Sequence, residues 1–394
     1  MLLTNRFTHD ARVAREARTL AEMGHDVVVH CLAGDGLPAE ETRDGFRVRR
    51  HAEPAWIGRR GPLRLVPLVR WYGRYDFLAR AAEGDVPNVV HGHDLETLLP
   101  ASELAGRLGV PHVHDDHELG LEKLGQGIGD WVRGPKRVAL ELATEFLRRR
   151  GRRLESELIP LVGGLVTASP LYARVLHARY GVEPVVLLNT PERSDPAPTP
   201  LLRERAGLPP GAHVVLYQGT VTPAGGAEEA VLSTRNYPRG WHLVFLGTTW
   251  MRPRLEALAR AHELTSRVHF LDPVPPAELP AWTRAATVGL CPIRAVNRGQ
   301  SLSLANKIFE YLHAGLPVIA SDVPGQGALV RELDAGELIP DVSADEIAVA
   351  VGRVAAVPER ERIEWGERLR RVAHRSYCWE IESEKLRALY RRIV

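Results

Sequence analysis

Short runs of β-branched and aliphatic residues alternate with longer helical patterns along nearly all of this chain, which restricts it to a parallel, doubly wound α/β architecture. In the first half Asp10 is placed to cap a helix running to Met23, Gly24 stops it, and Asp26 to Cys31 reads as a strand. Strands at Val89 to His91 and His112 to His114 flank a helix from Leu95 to Leu108. Leu165 to Ser169, a helix from Leu171 to Tyr180 and Val185 to Leu188 complete that half. Pro191, Pro196, Pro198, Pro200, Pro209 and Pro210 then crowd a stretch without apolar periodicity, which reads as a linker. Strands follow at Val214 to Tyr217, His242 to Leu246, Val268 to Leu271, Val288 to Cys291 and Val318 to Ala320. The expected division is residues 1–190, a linker at 191–212, a second α/β domain at 213–372 and a helical tail at 373–394. Ligands of doubly wound sheets bind beyond the carboxyl ends of the strands, where Gly219, Gly247, Arg294 and Asp322 fall.

The segment from Ser303 to Asp322 is the densest in chemistry. Ser303 is placed to cap a helix, Ile308, Phe309 and Leu312 form its apolar stripe, Gly315 suits a left-handed C-terminal position, and Pro317 opens a strand. Asn306 and Glu310 are four apart and share a face, with Lys307 one turn from Glu310. An amide, an ammonium and a carboxylate thus gather near a helix start, where N–H groups and the dipole favour phosphate, the pattern of a nucleotide-sugar site. Composition sharpens the reading of Lys307. Of 51 basic side chains only Lys123, Lys136, Lys307 and Lys385 are lysine, so a compact ammonium stands alone where the chain otherwise writes arginine. The plain alternative is a solvated surface lysine.

A chain of 394 residues with 44% hydrophobic content can bury large cores. No apolar run approaches the roughly 18 to 20 residues that span a bilayer, and Arg6, His9 and Asp10 interrupt any leader-like core, so a cytoplasmic location is expected. Cys31, Cys291 and Cys378 are few and widely spaced; they read as buried small hydrophobes. The net charge of +2 argues against bulk nucleic-acid binding, but residues 43–80 hold ten arginines. There, Arg59, Arg60, Arg64, Arg70 and Arg74 interleave with Trp56, Leu63, Leu65, Trp71 and Tyr72. That is the composition of a basic amphipathic segment able to touch anionic lipid at the inner face of a membrane, or of a surface helix whose arginine stems cover a core stripe.

Two doubly wound domains, the proline-rich hinge and the Ser303 to Asp322 segment together resemble glycosyltransferase family 4, with its GT-B fold of two Rossmann-like domains facing an interdomain cleft. The resemblance covers nearly the whole chain. It runs through the Asp10 to Leu20 helix with Gly24-His25, then His91-Gly-His-Asp94 and His114-Asp-Asp-His-Glu118. It continues through Tyr217-Gln-Gly-Thr220, Phe245-Leu-Gly247 and Phe270-Leu-Asp-Pro-Val274. It implies a retaining glycosyltransferase that needs no metal or other cofactor and moves a sugar from a nucleoside diphosphate sugar to a hydroxyl acceptor: a glycan, a lipid-linked precursor or a natural product. The C-terminal domain would bind the donor, the N-terminal domain the acceptor, and the tail around Trp379 would cross back onto the N-terminal domain. Glu310 matches the glutamate that holds the nucleotide ribose; Lys307 would bind diphosphate, with Gly219, Thr220, Arg294, Arg298, Ser303 and Asn306 completing the donor side. His117 matches a histidine near the reacting anomeric carbon, with His93, Asp94, Asp116 and Glu118 on the acceptor side. Asp94 is equally explained as the cap of the following helix.

The chain departs from the family pattern in three places. Leu302 stands where the first glutamate of the Glu-x7-Glu motif is expected, and Thr220 and Gly225 stand where cations usually face the diphosphate. Lys307, Arg294 and Arg298 are the available replacements. Two rivals stay open: a nucleotide-sugar epimerase on the same fold and, motivated by these departures, a non-catalytic nucleotide-sugar-binding subunit. A metal cluster built from His91, His93, His112, His114 and His117 with nearby aspartates is disfavoured, since no pair has a recognised ligand spacing. The opening strand, Leu2 to Asn5, is short and lacks a glycine-rich loop, which reads as a start codon assigned late and a trimmed central strand.

Overall fold

The computed structural model describes residues 1–8, 10–54, 75–123 and 135–394. The chain forms two compact units, Met1–Asn189 with Glu382–Val394, and Thr190–Ile381. The heart of the arginine and aromatic segment, from Trp56 to Tyr72, lies outside the described residues. No described helix is long and apolar enough to cross a membrane.

In the first unit α1 (Ala11–Glu22) begins as its sequence requires, with the Asp10 carboxylate accepting from the Val13 N–H at 3.1 Å. It is followed by β1 (Val28–Leu32), β2 (Glu40–Arg43), β3 (Phe46–His51), α2 (Asp76–Glu83), β4 (Val90–His93), α3 (Leu95–Leu108) and β5 (His112–Asp115). Then come α4 (Pro135–Leu158), β6 (Gly164–Thr167), α5 (Pro170–Tyr180) and β7 (Val185–Val186). Strands β4, β5, β6 and β7 pair in that order, all parallel. Strand β1 pairs in parallel with β3, and β2 adds to β3 antiparallel. The opening strand reduces to parallel bridges from Leu2 to His30 and to Gly92, which stitch β1 to β4. The core under this sheet joins Leu3, Phe7, Val13, Val29 and Val113 with Leu386, Leu389 and Tyr390 of the terminal segment.

In the second unit the strands are β8 (His213–Gln218), β9 (Trp241–Leu246), β10 (Val268–Leu271), β11 (Val288–Cys291), β12 (Val318–Ser321) and β13 (Gly336–Ile339), with helices α6 (Ala227–Ser233), α7 (Arg252–Ala261) and α8 (Leu279–Arg284) between the first four. They pair entirely in parallel in the order β10-β9-β8-β11-β12-β13, so the order reverses between β8 and β11. That reversal opens a crevice at the carboxyl ends of β8 and β11, the expected ligand position in such sheets. Strands β8 to β12 match the expected segments to within a residue or two, and their pairing is parallel as the alternation predicts. All three cysteines are free and buried, as expected.

Candidate functional site

Two helices follow β11, α9 (Arg298–Leu302) and α10 (Asn306–Ala314), and α10 meets the carboxyl end of β8 through Glu310 and Gln218. Ser303 is not the helix cap the sequence predicts. Ala305 holds that position without a side-chain bond, and the Ser303 hydroxyl donates to the Gln300 carbonyl at 2.9 Å. A short helix ends at Leu302 immediately before α10, so Ser303 closes one helix instead of opening the next. The rest of the segment behaves as read: Ile308, Phe309 and Leu312 are buried, and Gly315 ends α10 at φ +74°.

Asn306 is exposed on the first turn of α10, where leading N–H groups have no intrahelical acceptor. Half-buried Lys307 places its Nζ 4.3 Å from the ring centre of Tyr217, a cation–π contact. Burial holds its pKa below the ordinary lysine value, with Cys291 and Glu310 pulling the other way. One turn on, the Glu310 carboxylate accepts a short hydrogen bond from Gln218 Nε2, and Gln218 Oε1 accepts from Thr283 Oγ1 at 2.8 Å. Gln218 is fully buried at the end of β8, so Glu310 is aimed by the sheet itself. Gly219 is exposed at φ +88°, with open space where a Cβ would lie. A Cβ on Gly247 would sit 2.2 Å from the Gly219 carbonyl oxygen, so two bare backbones abut there. Thr220 is exposed beside them.

The candidate cation replacements fare differently. Arg294 is occupied: its guanidinium lies 2.5 Å from Glu229 and donates to the Val342 carbonyl at 3.1 Å. Arg298 is exposed and forms no ion pair with a described residue. At Gly225, a Cβ would lie only 2.1 Å from the Tyr217 hydroxyl, which donates to the Gly225 carbonyl at 2.9 Å. The ring that seats Lys307 therefore also closes the position where a second cation was expected.

In the first unit, His93 and Asp115 end β4 and β5, and Asp94 and His117 follow them. Asp94 adopts φ +64°, a conformation that side-chain-bearing residues rarely hold. It makes no side-chain cap bond, and its Oδ1 lies 3.4 Å from His117 Nε2. On the other side of the ring, His117 Nδ1 lies 3.6 Å from Asp115 Oδ2. Burial works against charge on His117, but Asp94 and Asp115 outweigh it and raise its pKa to about 9. His117 is thus an imidazolium near neutral pH, able to donate from both nitrogens and unable to act as a base. Asp116 is buried, its Oδ1 accepting from the Gly120 N–H at 3.4 Å, and burial raises it to about 6. Glu118 is exposed. His93 points inward, fully buried, 3.4 Å from Asp115 and stacked on His91 at 4.4 Å.

Sequence reasoning gave no site role to Arg12, Glu16, Tyr217 or Gln218, although Tyr217 and Gln218 lie in a segment that carries the family resemblance. Arg12 and Glu16 stand on the opening helix, whose charged residues were assigned no role, yet they are 3% and 0% exposed. Glu16, His91 and His93 bring three ligand-type atoms within 4.8 Å of one another. The Arg12 Nε lies 3.1 Å from Glu16 and 2.8 Å from Asp115, so a guanidinium already supplies the positive charge and would repel a cation placed there.

Residues 11–190 match the family described as "Glycosyltransferase Family 4", and residues 226–356 match "Glycosyl transferases group 1". A D-inositol 3-phosphate glycosyltransferase of Acidothermus cellulolyticus is 29% identical over 96% of this chain and 84% of its own length. Among solved structures, sucrose-phosphate synthase from Thermosynechococcus elongatus superposes with a TM-score of 0.72 at 19% identity, covering 96% of this chain and 92% of that one. Anabaena HepE in complex with UDP and glucose superposes at 0.69 with 14% identity, covering 98% and 97%. With two parallel α/β units, a switch-point crevice and these matches in chain order, the chain belongs to glycosyltransferase family 4 and has the GT-B fold.

Proposed function

We propose that this glycosyltransferase takes its sugar from a nucleoside diphosphate sugar and passes it, with retention at the anomeric carbon and without a metal ion, to a hydroxyl acceptor. The observation that carries the reading is the first turn of α10, where Lys307 is seated on Tyr217 one turn from a Glu310 aimed by Gln218. An ammonium beside a helix start suits a diphosphate, and a fixed carboxylate suits the two vicinal hydroxyls of a ribose. Asn306, Ser303, Gly219 and Thr220 complete the donor side, with Arg298 as a cation that pairs with no acid among the described residues and Arg294 held back by Glu229.

In the proposed step the bond from the anomeric carbon to the diphosphate oxygen breaks as the bond to the acceptor oxygen forms on the same face. The acceptor proton passes to the leaving phosphate oxygen, so no protein base is needed. That agrees with His117 being an imidazolium: it orients sugar or acceptor oxygens as a donor, with Asp94 beside it and Asp116 and Glu118 flanking. Lys307 offsets the charge that develops on the leaving diphosphate.

The UDP and glucose bound by the Anabaena neighbour make UDP-glucose the first donor to try, and the Acidothermus relative makes D-inositol 3-phosphate the first acceptor. Transfer with release of UDP and an α-configured product supports the reading. Isomerised sugar from donor alone points to an epimerase. Tight donor binding with neither transfer nor hydrolysis points to a binding subunit, the rival that closure of the Gly225 position favours. Peripheral contact of residues 43–80 with an anionic membrane belongs to the same reading on composition alone, and flotation with phosphatidylglycerol vesicles against phosphatidylcholine vesicles tests it.

A further inference from the structure

Arg12 and Glu16 lie one turn apart on α1 and both point into the first unit. Arg12 grips Asp115 with two nitrogens, Nε at 2.8 Å and Nη2 at 3.0 Å, while its Nη1 donates to the Leu187 carbonyl at 2.8 Å. The gripped carboxylate is the one that faces His117 Nδ1 at 3.6 Å and His93 Nδ1 at 3.4 Å. Behind the guanidinium, Glu16 Oε2 lies 3.8 Å from His91 Nε2, and His91 Nδ1 meets the Tyr390 hydroxyl at 2.9 Å. A core gains little from such a cluster, because apolar residues of the same volume stabilise equally well or better. Its geometry, however, holds one carboxylate in one plane, which a planar two-pronged donor does and a single ammonium does not.

We infer that Arg12 is a positioning residue for His117, acting through Asp115: the guanidinium fork fixes the carboxylate, and the carboxylate fixes the His117 ring. The inference rests on the reading of His117 given above. His117 is also influenced by Asp94, Asp116 and Glu16 on the acidic side and by His114 on the basic side, so the test must isolate the Arg12 contribution.

The test compares wild type, Arg12→Lys, His117→Asn and the double variant, in full-length protein, by donor kinetics and by NMR titration of the His117 ring, assigned through its loss in His117→Asn. The expected results are a fall in kcat of at least tenfold for Arg12→Lys with donor KM changed less than twofold, and a His117 titration midpoint displaced by at least half a unit. In the His117→Asn background, Arg12→Lys should lower kcat by less than twofold further. A full tenfold loss in that background overturns the inference, as does a folded Arg12→Lys with unchanged kcat and midpoint. An inactive-site role for His117 would instead show as unchanged kcat in His117→Asn, while the displaced midpoint still reports the Arg12 contact. Should Arg12→Lys fail to fold, Asp115→Asn carries the same two readouts with the same outcomes. Failure of both to fold overturns the inference in favour of a purely structural pair.

Discussion

Tyr217 and Gly225 form a coupled pair whose strength can be worked out from the structure. An alanine methyl at position 225 would sit 2.1 Å from the Tyr217 hydroxyl oxygen, more than an ångström inside ordinary contact. The phenol has little room to retreat: Tyr217 is 1% exposed, its ring lies 5.2 Å from that of Phe245, and Lys307 sits over it. Overpacking of this kind costs about 1 to 3 kcal/mol, and displacing the hydroxyl from the Gly225 carbonyl adds about 1 kcal/mol. The loss of unfolded-state freedom on Gly→Ala returns only about 0.4 to 1 kcal/mol, so Gly225→Ala should destabilise by roughly 1 to 3 kcal/mol. Tyr217→Phe alone should cost about 1 kcal/mol, because the Gly225 carbonyl loses its donor. With that oxygen gone, the nearest ring atom lies 3.4 Å from the new methyl, an ordinary contact. Gly225→Ala in the Tyr217→Phe background should therefore be nearly neutral, a coupling of about 1 to 3 kcal/mol. Urea unfolding of the four proteins measures it, and an equal cost of the alanine in both backgrounds refutes the reasoning. The same logic predicts that Gly225→Lys is tolerated only beside Tyr217→Phe, and that this double variant binds a nucleotide sugar more tightly than wild type.

Three further outcomes follow from the same coordinates. Gly289→Ala would put a methyl 2.2 Å from the Tyr311 ring, pushing α10 off β11, and should lower the melting temperature by several degrees while raising the Kd for donor. Burial, with Asp116 second, raises Glu155 from 4.5 to about 8, so the fold favours its neutral form. Its contribution is complete below about pH 4.5 and is lost as pH rises through about 8, so Glu155→Gln should leave stability at pH 5 unchanged and raise it at pH 8.5, by an amount on the order of a few kcal/mol. His117 is likewise raised, from 6.5 to about 9, so the stability it lends is complete below about 6.5 and lost through about 9. Activity that needs the His117 imidazolium should also fall through about pH 9; Asp94→Asn should move that alkaline fall to lower pH, and an unmoved one would remove Asp94 from the assignment.

Much of the architecture was legible because its determinants are local. Buried strands such as Val288–Cys291 and Val318–Ser321 are short apolar runs between breakers, and their alternation with helices forces parallel pairing. The hairpin of β2 and β3 escaped reading because its solvent face is written in arginine and glutamate, which masks the inward Phe46 and Val48. Ser303 misled because its hydroxyl is a common cap, yet the true signal lay six residues earlier. Asn297 accepts from the Gln300 N–H at 2.8 Å, and Gln300 accepts from the Val296 N–H at 3.1 Å, so a separate helix starts there. On the donor side, Lys307 and Glu310 were readable from spacing, but Tyr217 and Gln218 looked like ordinary strand residues until β8 was placed beside α10. Arg12 was out of reach for a similar reason. Nothing local marks it as buried; partners 103 and 175 positions away reveal why it is.

Calorimetric titration of UDP-glucose into wild type, Lys307→Ala and Glu310→Gln tests the donor site most directly. Saturable binding by wild type, weakened at least tenfold in each variant while all three keep the same melting temperature, is the predicted result. Equal affinity in all three proteins would contradict the assignment of the α10 turn to the nucleotide sugar.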